Sequence, residues 1–596
     1  MTALIGIFIC LILLAFYYGV IICGLRFCAV DFIKIFRKEA REIFFVAAIS
    51  LLFIFLEVSL QRTIYIWDWL ETWEPTVFCS ERIFTEPYAL LSHLKNSINH
   101  SDYNNFLPML MALPMHIFSK SFLAYNFYVW IMFALPALFI SAAALKTFLD
   151  KNFKISTSCA KILGVIAIIP AVEMPILNGY ANVSILLTGI TIFLMLLNLN
   201  RAELQKKRLL IISLLAIFTV IQSRSAAYML FGLFSGYTAY ILCDSKDFRA
   251  ELKMLSKKFL FIGITAAALM AIMFFPFLKH ALTYDFATAY SAYTLGHGFP
   301  IRILAHIYSI GFVPYAIFFV AIILGITKKF LRRYLIFSLV WIIISVMLIC
   351  RIQFMSNQHQ YIMLIPLCLV LAGFIVVSLK KYKTLGAILI ALLLINFGQA
   401  YSKILPLNIN GVFLPPVRND IEELKIFVKE LNELSKMDNG KIYFVASSGS
   451  YNGAILRTIY APDNFFAVPN LLQNSDVDLR DGFPIHFFDA DIVVVADPIQ
   501  THLRPEDQSV VVAVAQAFMN PTVFSKHFTL VKEYPLPQNP NDNAVTLKVY
   551  KKISQYKKSD IDIAEKYFDR LYPNQPALFH DRFEKYKANT FGNDNT

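Results

Sequence analysis

The sequence predicts a polytopic α-helical membrane protein with about twelve transmembrane helices and a C-terminal α/β domain outside the membrane. Three observations carry the prediction. Hydrophobic residues make up 57% of the 596 positions and charged residues only 16%, with 54 phenylalanines, far more apolar surface than a soluble core needs. Apolar runs of about 20 residues recur as far as residue 400, each long enough to cross roughly 30 Å of hydrocarbon. The loops between them alternate between lysine- and arginine-rich and poor, the pattern that fixes topology.

Taken in order, the run Ala3 to Cys23 has no basic residue before it and no small-residue cleavage site, so it reads as a retained span. Arg26, Lys34, Arg37, Lys38 and Arg41 follow it as a cytoplasmic loop. Later basic loops lie at 146–154, 201–208, 246–258, 328–333 and 380–383. The intervening segments 61–120, 173–182, 279–306 and 351–360 then face outward, as do the N-terminus and everything after about residue 405. The formal net charge of +13 is accounted for by these loops, so nucleic acid is not expected as a partner. The eight cysteines form no CxxC knuckle and no disulfide framework.

The expected organisation is a membrane module over 1–405 with its first large outer loop at 61–120, an α/β domain over 406–560, and a polar helical tail over 561–596. Pro406, Pro415 and Pro416 mark the linker. Asp420 is placed to cap a helix whose apolar positions are Ile421, Leu424, Phe427, Leu431 and Leu434. Segments 441–445, 492–495, 528–534 and 545–550 read as strands, and 505–519 as a helix. The Asp489-Ala-Asp491 triplet reads as the start of a strand rather than a metal-binding DxD.

Polar groups that a lipid-facing helix would not carry cluster in the outer segments, and a charge at membrane depth costs at least a few kcal/mol. Asp68, Glu71 and Glu74 lie among Trp67, Trp69 and Trp73, just past the second span. The indoles suit an interface as anchors, but anchoring needs no carboxylate. Asp102, Tyr103 and Asn104 precede a short apolar segment from Phe106 to Phe118, read as an interfacial helix; Asp102 also suits a helix cap. The Asn178-Gly179 pair suits a turn. Arg224 sits between two apolar runs, and arginine offers a fixed charge and a planar fork of donors to a phosphate. Tyr290 lies in a tyrosine-rich loop at 284–293, Arg351 ends a span, and His359 and Tyr361 precede the next one.

These motifs together resemble a bacterial membrane glycosyltransferase of the GT-C superfamily, in the broad group of the protein O-mannosyltransferases and the aminoarabinose transferase. The likeness rests on TrpAspTrpLeuGluThrTrp at 67–73, SerIle…AspTyrAsn at 97–104, the arginine-aromatic turn at 224–228, the loop at 284–293, His-x-Tyr at 359–361, and the segment 490–503 in the tail. It spans nearly the whole chain. One departure stands out: the family's turn carries two adjacent arginines, and this chain has Ser223-Arg224. The resemblance implies a polyprenyl-phosphate-linked sugar as donor, an envelope glycan or glycolipid as acceptor, and work at the outer face of the bacterial cytoplasmic membrane. It implies Asp68 as general base in an inverting displacement, with Arg224 holding the leaving phosphate. His359 and Arg351 are secondary candidates for that charge, and Glu71, Asp102, Tyr103, Asn104, Tyr290 and Tyr361 are placed to bind substrate. No cofactor is called for, although Asp68, Glu71 and Asp102 suit a divalent cation through oxygen. A transporter or flippase of lipid-linked sugars, or a glycan polymerase or ligase, fits the same composition.

Overall fold

The computed structural model describes residues 2–592 except 102, 403–410, 412, 521, 523 and 541. The chain divides into two compact units. One comprises Met1–Leu60, Asp68–Tyr284 and Phe299–Leu414; the other comprises Gln61–Trp67, Asp285–Gly298 and Pro415–Thr596. The boundary expected at 405–406 lies outside the described residues.

The first unit is helical. Among the described residues, seven helices are long and apolar enough to cross a membrane, and nine spans result if each of two bent pairs is one span. The twelve spans expected from apolar runs exceed this count because several runs form helices that are short or broken. Cys159–Ala167 and Pro170–Leu177 meet at 67°, and Phe299–Ile310 and Phe312–Ile326 at 100°. Pro170 opens its helix, where a missing N–H costs nothing. Gly311 supplies the second bend with φ +110°, a conformation open to glycine.

Packing inside the unit follows small residues. Gly232 and Gly236 lie on one face of the helix Ala226–Leu242, against the helix Lys329–Ile352. A Cβ at either position would overlap Ser345 or Phe337. This is the small-xxx-small approach that lets membrane helices pack where no hydrophobic force drives them together. The helix Tyr361–Lys381 is the most enclosed of the seven, 67% buried against 11% for the helix Phe248–Thr283. Its first turn is therefore an interior position, which matters for Tyr361.

The second unit is an α/β fold. Its sheet contains β1 (Ile442–Val445), β2 (Leu471–Leu472), β3 (Ile492–Asp497), β4 (Phe528–Leu536) and β5 (Val545–Lys552), in the order β2-β1-β3-β5-β4. β1 runs parallel to β2 and β3; β5 runs antiparallel to β3 and β4. Every residue of β1 is buried, which explains its unbroken apolar sequence. Tyr443, Val445, Val493 and Val495 meet Val510, Val514 and Phe518 from the helix Ser509–Met519.

Two expectations are revised here. Asp420 precedes the helix Ile421–Asp438 but makes no cap bond. It forms instead a fully buried bidentate pair with Arg418, Oδ1 to Nε at 3.0 Å and Oδ2 to Nη2 at 2.8 Å. A buried guanidinium must be neutralised, and that need takes the carboxylate away from the helix end. Nor is the segment after residue 560 a separate tail. Helices Lys558–Leu571 and His580–Phe591 place Phe568, Phe579 and Phe583 in the same core as the sheet. The Asp489-Ala-Asp491 triplet is structural, as expected: Asp491 accepts from the Lys441 amide at 2.8 Å and Asp489 from the Tyr586 hydroxyl at 2.9 Å.

Candidate active site

Asp68 belongs to the first unit, in a short 3-10 turn, Trp67–Trp69, that follows the helix Phe32–Ser59. Trp69 and Trp73 are buried, and the Trp73 indole donates to the Lys120 carbonyl at 2.9 Å. They are interior residues of the unit rather than interfacial anchors. The Asp68 carboxylate accepts on both oxygens. The Tyr103 hydroxyl donates to Oδ1, and the Gln358 amide donates to Oδ2 at 2.6 Å. A carboxylate offers about four lone-pair directions, and these two donors orient it.

The arginine turn is built beside it. The helix Lys206–Gln222 ends, Ser223 is extended, and the helix Ala226–Leu242 begins three residues later. The Ser223 and Ser225 hydroxyls lie 2.9 Å apart, and the Tyr361 hydroxyl bonds both, at 2.9 and 3.0 Å. His359 reaches Ser225 Oγ through Nδ1 at 3.2 Å and Gln353 through Nε2 at 3.1 Å. Asn104 donates to the Ile221 carbonyl at 2.7 Å, pinning the 103–105 segment to the end of the same helix. Gln358, which bonds Asp68, is next in sequence to His359, which bonds Ser225 of the turn. A cavity of about 30 Å³ opens between Thr72, Tyr103, Asn104, Asn182, Ser223 and Arg224. That space admits a water or two, so a sugar phosphate would have to part its walls.

The electrostatics separate the two basic side chains here. Burial pushes the His359 imidazole down to about 4, so it is neutral at pH 7 and serves as a hydrogen-bonding group. Arg224 keeps its charge at any working pH and lines the cavity.

The structure thus brings together Asp68, Tyr103, Asn104, Arg224, His359 and Tyr361. Others of the expected set fall elsewhere. Glu71 is exposed, and Arg351 is exposed at the end of the helix Lys329–Ile352. Tyr290 belongs to the second unit, where its ring stacks 6.3 Å from Phe286 and 5.9 Å from Tyr293. Asp102 lies outside the described residues. Sequence reasoning missed Gln358, Ser223, Ser225 and Asn182. Gln358 carried a signal, since it sits inside the polar pentapeptide 357–361 at the head of an apolar span.

Among the described residues, three or more metal-ligand side chains converge at Glu565, His580 and Glu584, in the second unit. There the Lys587 ammonium already holds the cation's place, 2.6 Å from Glu565, 2.6 Å from Glu584 and 2.9 Å from Asp562. No family model matches the chain, and no curated protein or solved structure is similar to it.

Proposed function

We propose that the chain is a GT-C type glycosyltransferase. It moves a sugar from a polyprenyl-phosphate donor to an envelope glycan or glycolipid at the outer face of the bacterial cytoplasmic membrane. The observation that carries this reading is an oriented carboxylate, Asp68, bonded to Tyr103, which lines a cavity together with Arg224. Asp68 removes the proton from the acceptor hydroxyl as that oxygen attacks the anomeric carbon. The carbon–phosphate oxygen bond breaks with inversion. The leaving phosphate departs as a stable anion and needs no proton, only a positive charge, which Arg224 supplies. Tyr103 and Gln358 position the base; Ser223, Ser225 and His359 hold Tyr361 and the arginine turn in place. The about twelve spans and the outward-facing second unit belong to the same proposal, as does the choice of a bacterial envelope.

The bent helix pairs favour one rival, since broken helices near a polar site also serve transporters. One experiment separates the two. Protein in lipid nanodiscs is given a panel of polyprenyl-phosphate sugars with envelope glycans as acceptors, with and without a chelator, and release of polyprenyl phosphate is followed. Release that disappears in Asp68→Asn and falls sharply in Arg224→Ala supports the transferase. Release at the wild-type rate in a folded Asp68→Asn protein, or none with any donor, removes it, and flux of labelled donor across proteoliposomes then tests the transporter.

A further inference from the structure

The second unit carries a polar and aromatic cluster that the reaction above does not use. Strands β1, β2 and β3 are parallel and lie in the order β2-β1-β3, so the chain leaves β1 to one side and returns on the other. In open α/β sheets the crevice beyond the carboxyl ends of strands at such a reversal is where ligands bind. In this unit the three loops that follow those strand ends meet there. Ser447 comes from the loop after β1, Asp476 from the loop after β2, and His502 from the loop after β3.

The hydrogen bonds leave this group with a definite character. The Ser447 hydroxyl donates to Asp476 Oδ1 at 2.7 Å. His502 Nδ1 lies 2.8 Å from the Ser447 carbonyl, which can only accept, so Nδ1 carries the proton and Nε2 is an acceptor. Asp476 keeps a side chain that is 32% exposed. Arg480 approaches, but its guanidinium is paired with Asp481 at 2.7 and 2.9 Å. The crevice therefore offers acceptors, and its nearest cation is committed. That disfavours a nucleotide or phosphate and favours a ligand rich in hydroxyl donors.

Two aromatic rings complete it. The Trp67 indole lies 4.6 Å from the His502 ring, and the Tyr293 ring lies 6.3 Å from it. Both residues come from segments outside the 415–596 stretch that nonetheless fold as part of this unit. Trp67 holds φ +47°, the left-handed region that a bulky side chain enters only under strain. At the tip of the β1 loop, Gly449 has no atom within 4 Å of the place a Cβ would take, so the loop borders open space.

We propose that this crevice is a carbohydrate-binding site, in which Trp67 and Tyr293 pack on the apolar face of a sugar ring while Asp476 and His502 accept from its hydroxyls. Its assignment as the acceptor glycan's site rests on the transferase reading; carbohydrate binding by itself does not. The test uses full-length protein in nanodiscs, fluorescently labelled, on an array of bacterial envelope oligosaccharides. Wild type should bind a subset of neutral glycans. Trp67→Ala and Asp476→Asn should each bind them about tenfold more weakly or worse, as loss of one stacking plate or one charged acceptor implies. Trp67→Phe, which keeps a ring, should stay within about threefold. Asp476→Asn is isosteric and still accepts from Ser447, so its folding is safe even if Trp67→Ala unfolds. No glycan bound by wild type, or equal binding by Asp476→Asn and wild type, overturns the site. If donor turnover depends on Asp68 while no glycan binds, this inference fails alone. If glycans bind through Trp67 and Asp476 while no donor is turned over, the transferase reading fails and the crevice stands as a glycan-binding site.

Discussion

Replacing Asp478 by asparagine should stabilise the second unit at pH 8 and do nothing at pH 4. Asp478 is 1% exposed, and burial pushes its carboxyl up to about 7, even though the Tyr572 hydroxyl and the Val510 amide donate to it at 2.5 and 3.4 Å. In the unfolded chain the same carboxyl titrates near 3.9. The folded state therefore favours the neutral acid. The stability this gives is complete below pH 4 and is lost as the pH rises through about 7. The two values are about three pH units apart, and at 1.36 kcal/mol per unit the loss is of order 4 kcal/mol. Asparagine is neutral at every pH, and its carbonyl at the Oδ2 position can accept from both Tyr572 and Val510. Calorimetry of the full-length protein in nanodiscs gives the readout. For a domain of this size 1 kcal/mol moves the midpoint by roughly 2–4 °C, so Asp478→Asn should melt up to about 8–16 °C above wild type at pH 8. The gain should shrink to nothing by pH 4. A variant that melts below wild type by the same margin at both pH values would refute the reasoning. Asp478 would then be needed as an anion that accepts from Tyr572 and Val510.

Gln358→Leu removes one charge-assisted bond from Asp68, an interaction of about 1.5–3 kcal/mol, and should slow polyprenyl-phosphate release about 10- to 100-fold in protein that still folds, with some fall in the melting temperature of the first unit; an unchanged rate would count against a positioning role. Phe583→Ala opens the core around Phe483 and Phe568, with ring centroids 4.8 and 6.3 Å away, and should cost the second unit about 3–5 kcal/mol by hydrogen exchange of β1 and β3. If those strands exchange as in wild type, the last helix is not part of that core. Burial alone would pull the Lys587 ammonium down, but Glu565, Glu584 and Asp562 outweigh it and hold it above its ordinary value. Lys587→Met should cost of order 3 kcal/mol, since Glu584 and Asp562 stay partly in water, and zinc should restore part of that through Glu565, His580 and Glu584. A midpoint that zinc does not move would show that those ligands cannot converge on a cation.

The sequence made some elements easy to read and hid others for physical reasons. β1 and β3 were legible because buried strands show as short apolar runs between turn residues, and β4 and β5 because they are rich in β-branched and aromatic residues. β2 escaped because two residues carry no period. The helices after 558 were legible as helices, but their charged faces masked Phe568, Phe579 and Phe583, spaced too unevenly across a turn to show one apolar stripe. Apolar runs alone could not show which of them end as helices of 17 residues or fewer, such as Ala181–Leu197 and Ala226–Leu242, or where Pro170 and Gly311 bend the chain, so they gave a larger span count. In the candidate site, Asp68, Arg224 and His359 stood out as polar residues at the ends of apolar runs. The Asp68–Gln358 bond joins positions 290 residues apart, and no local pattern encodes it.

The hydrogen-bonded set around Asp68 has a second possible use, as glue between helix ends, because unsatisfied polar groups are costly near lipid. Its positions fit either use, since 68–69, 103–105, 222–225 and 357–361 all lie at helix ends or in the turns between helices. The two uses separate on Asp68→Asn. The asparagine carbonyl can still accept from Tyr103, and Gln358 can turn its amide so that its oxygen accepts from the new NH₂. Both bonds survive, so a structural role predicts a melting temperature and a rate close to wild type. A general base predicts the same melting temperature and a lost rate, because an amide takes no proton at neutral pH. Stability held while turnover is lost would therefore mark Asp68 as chemistry, and stability and turnover held together would mark it as glue.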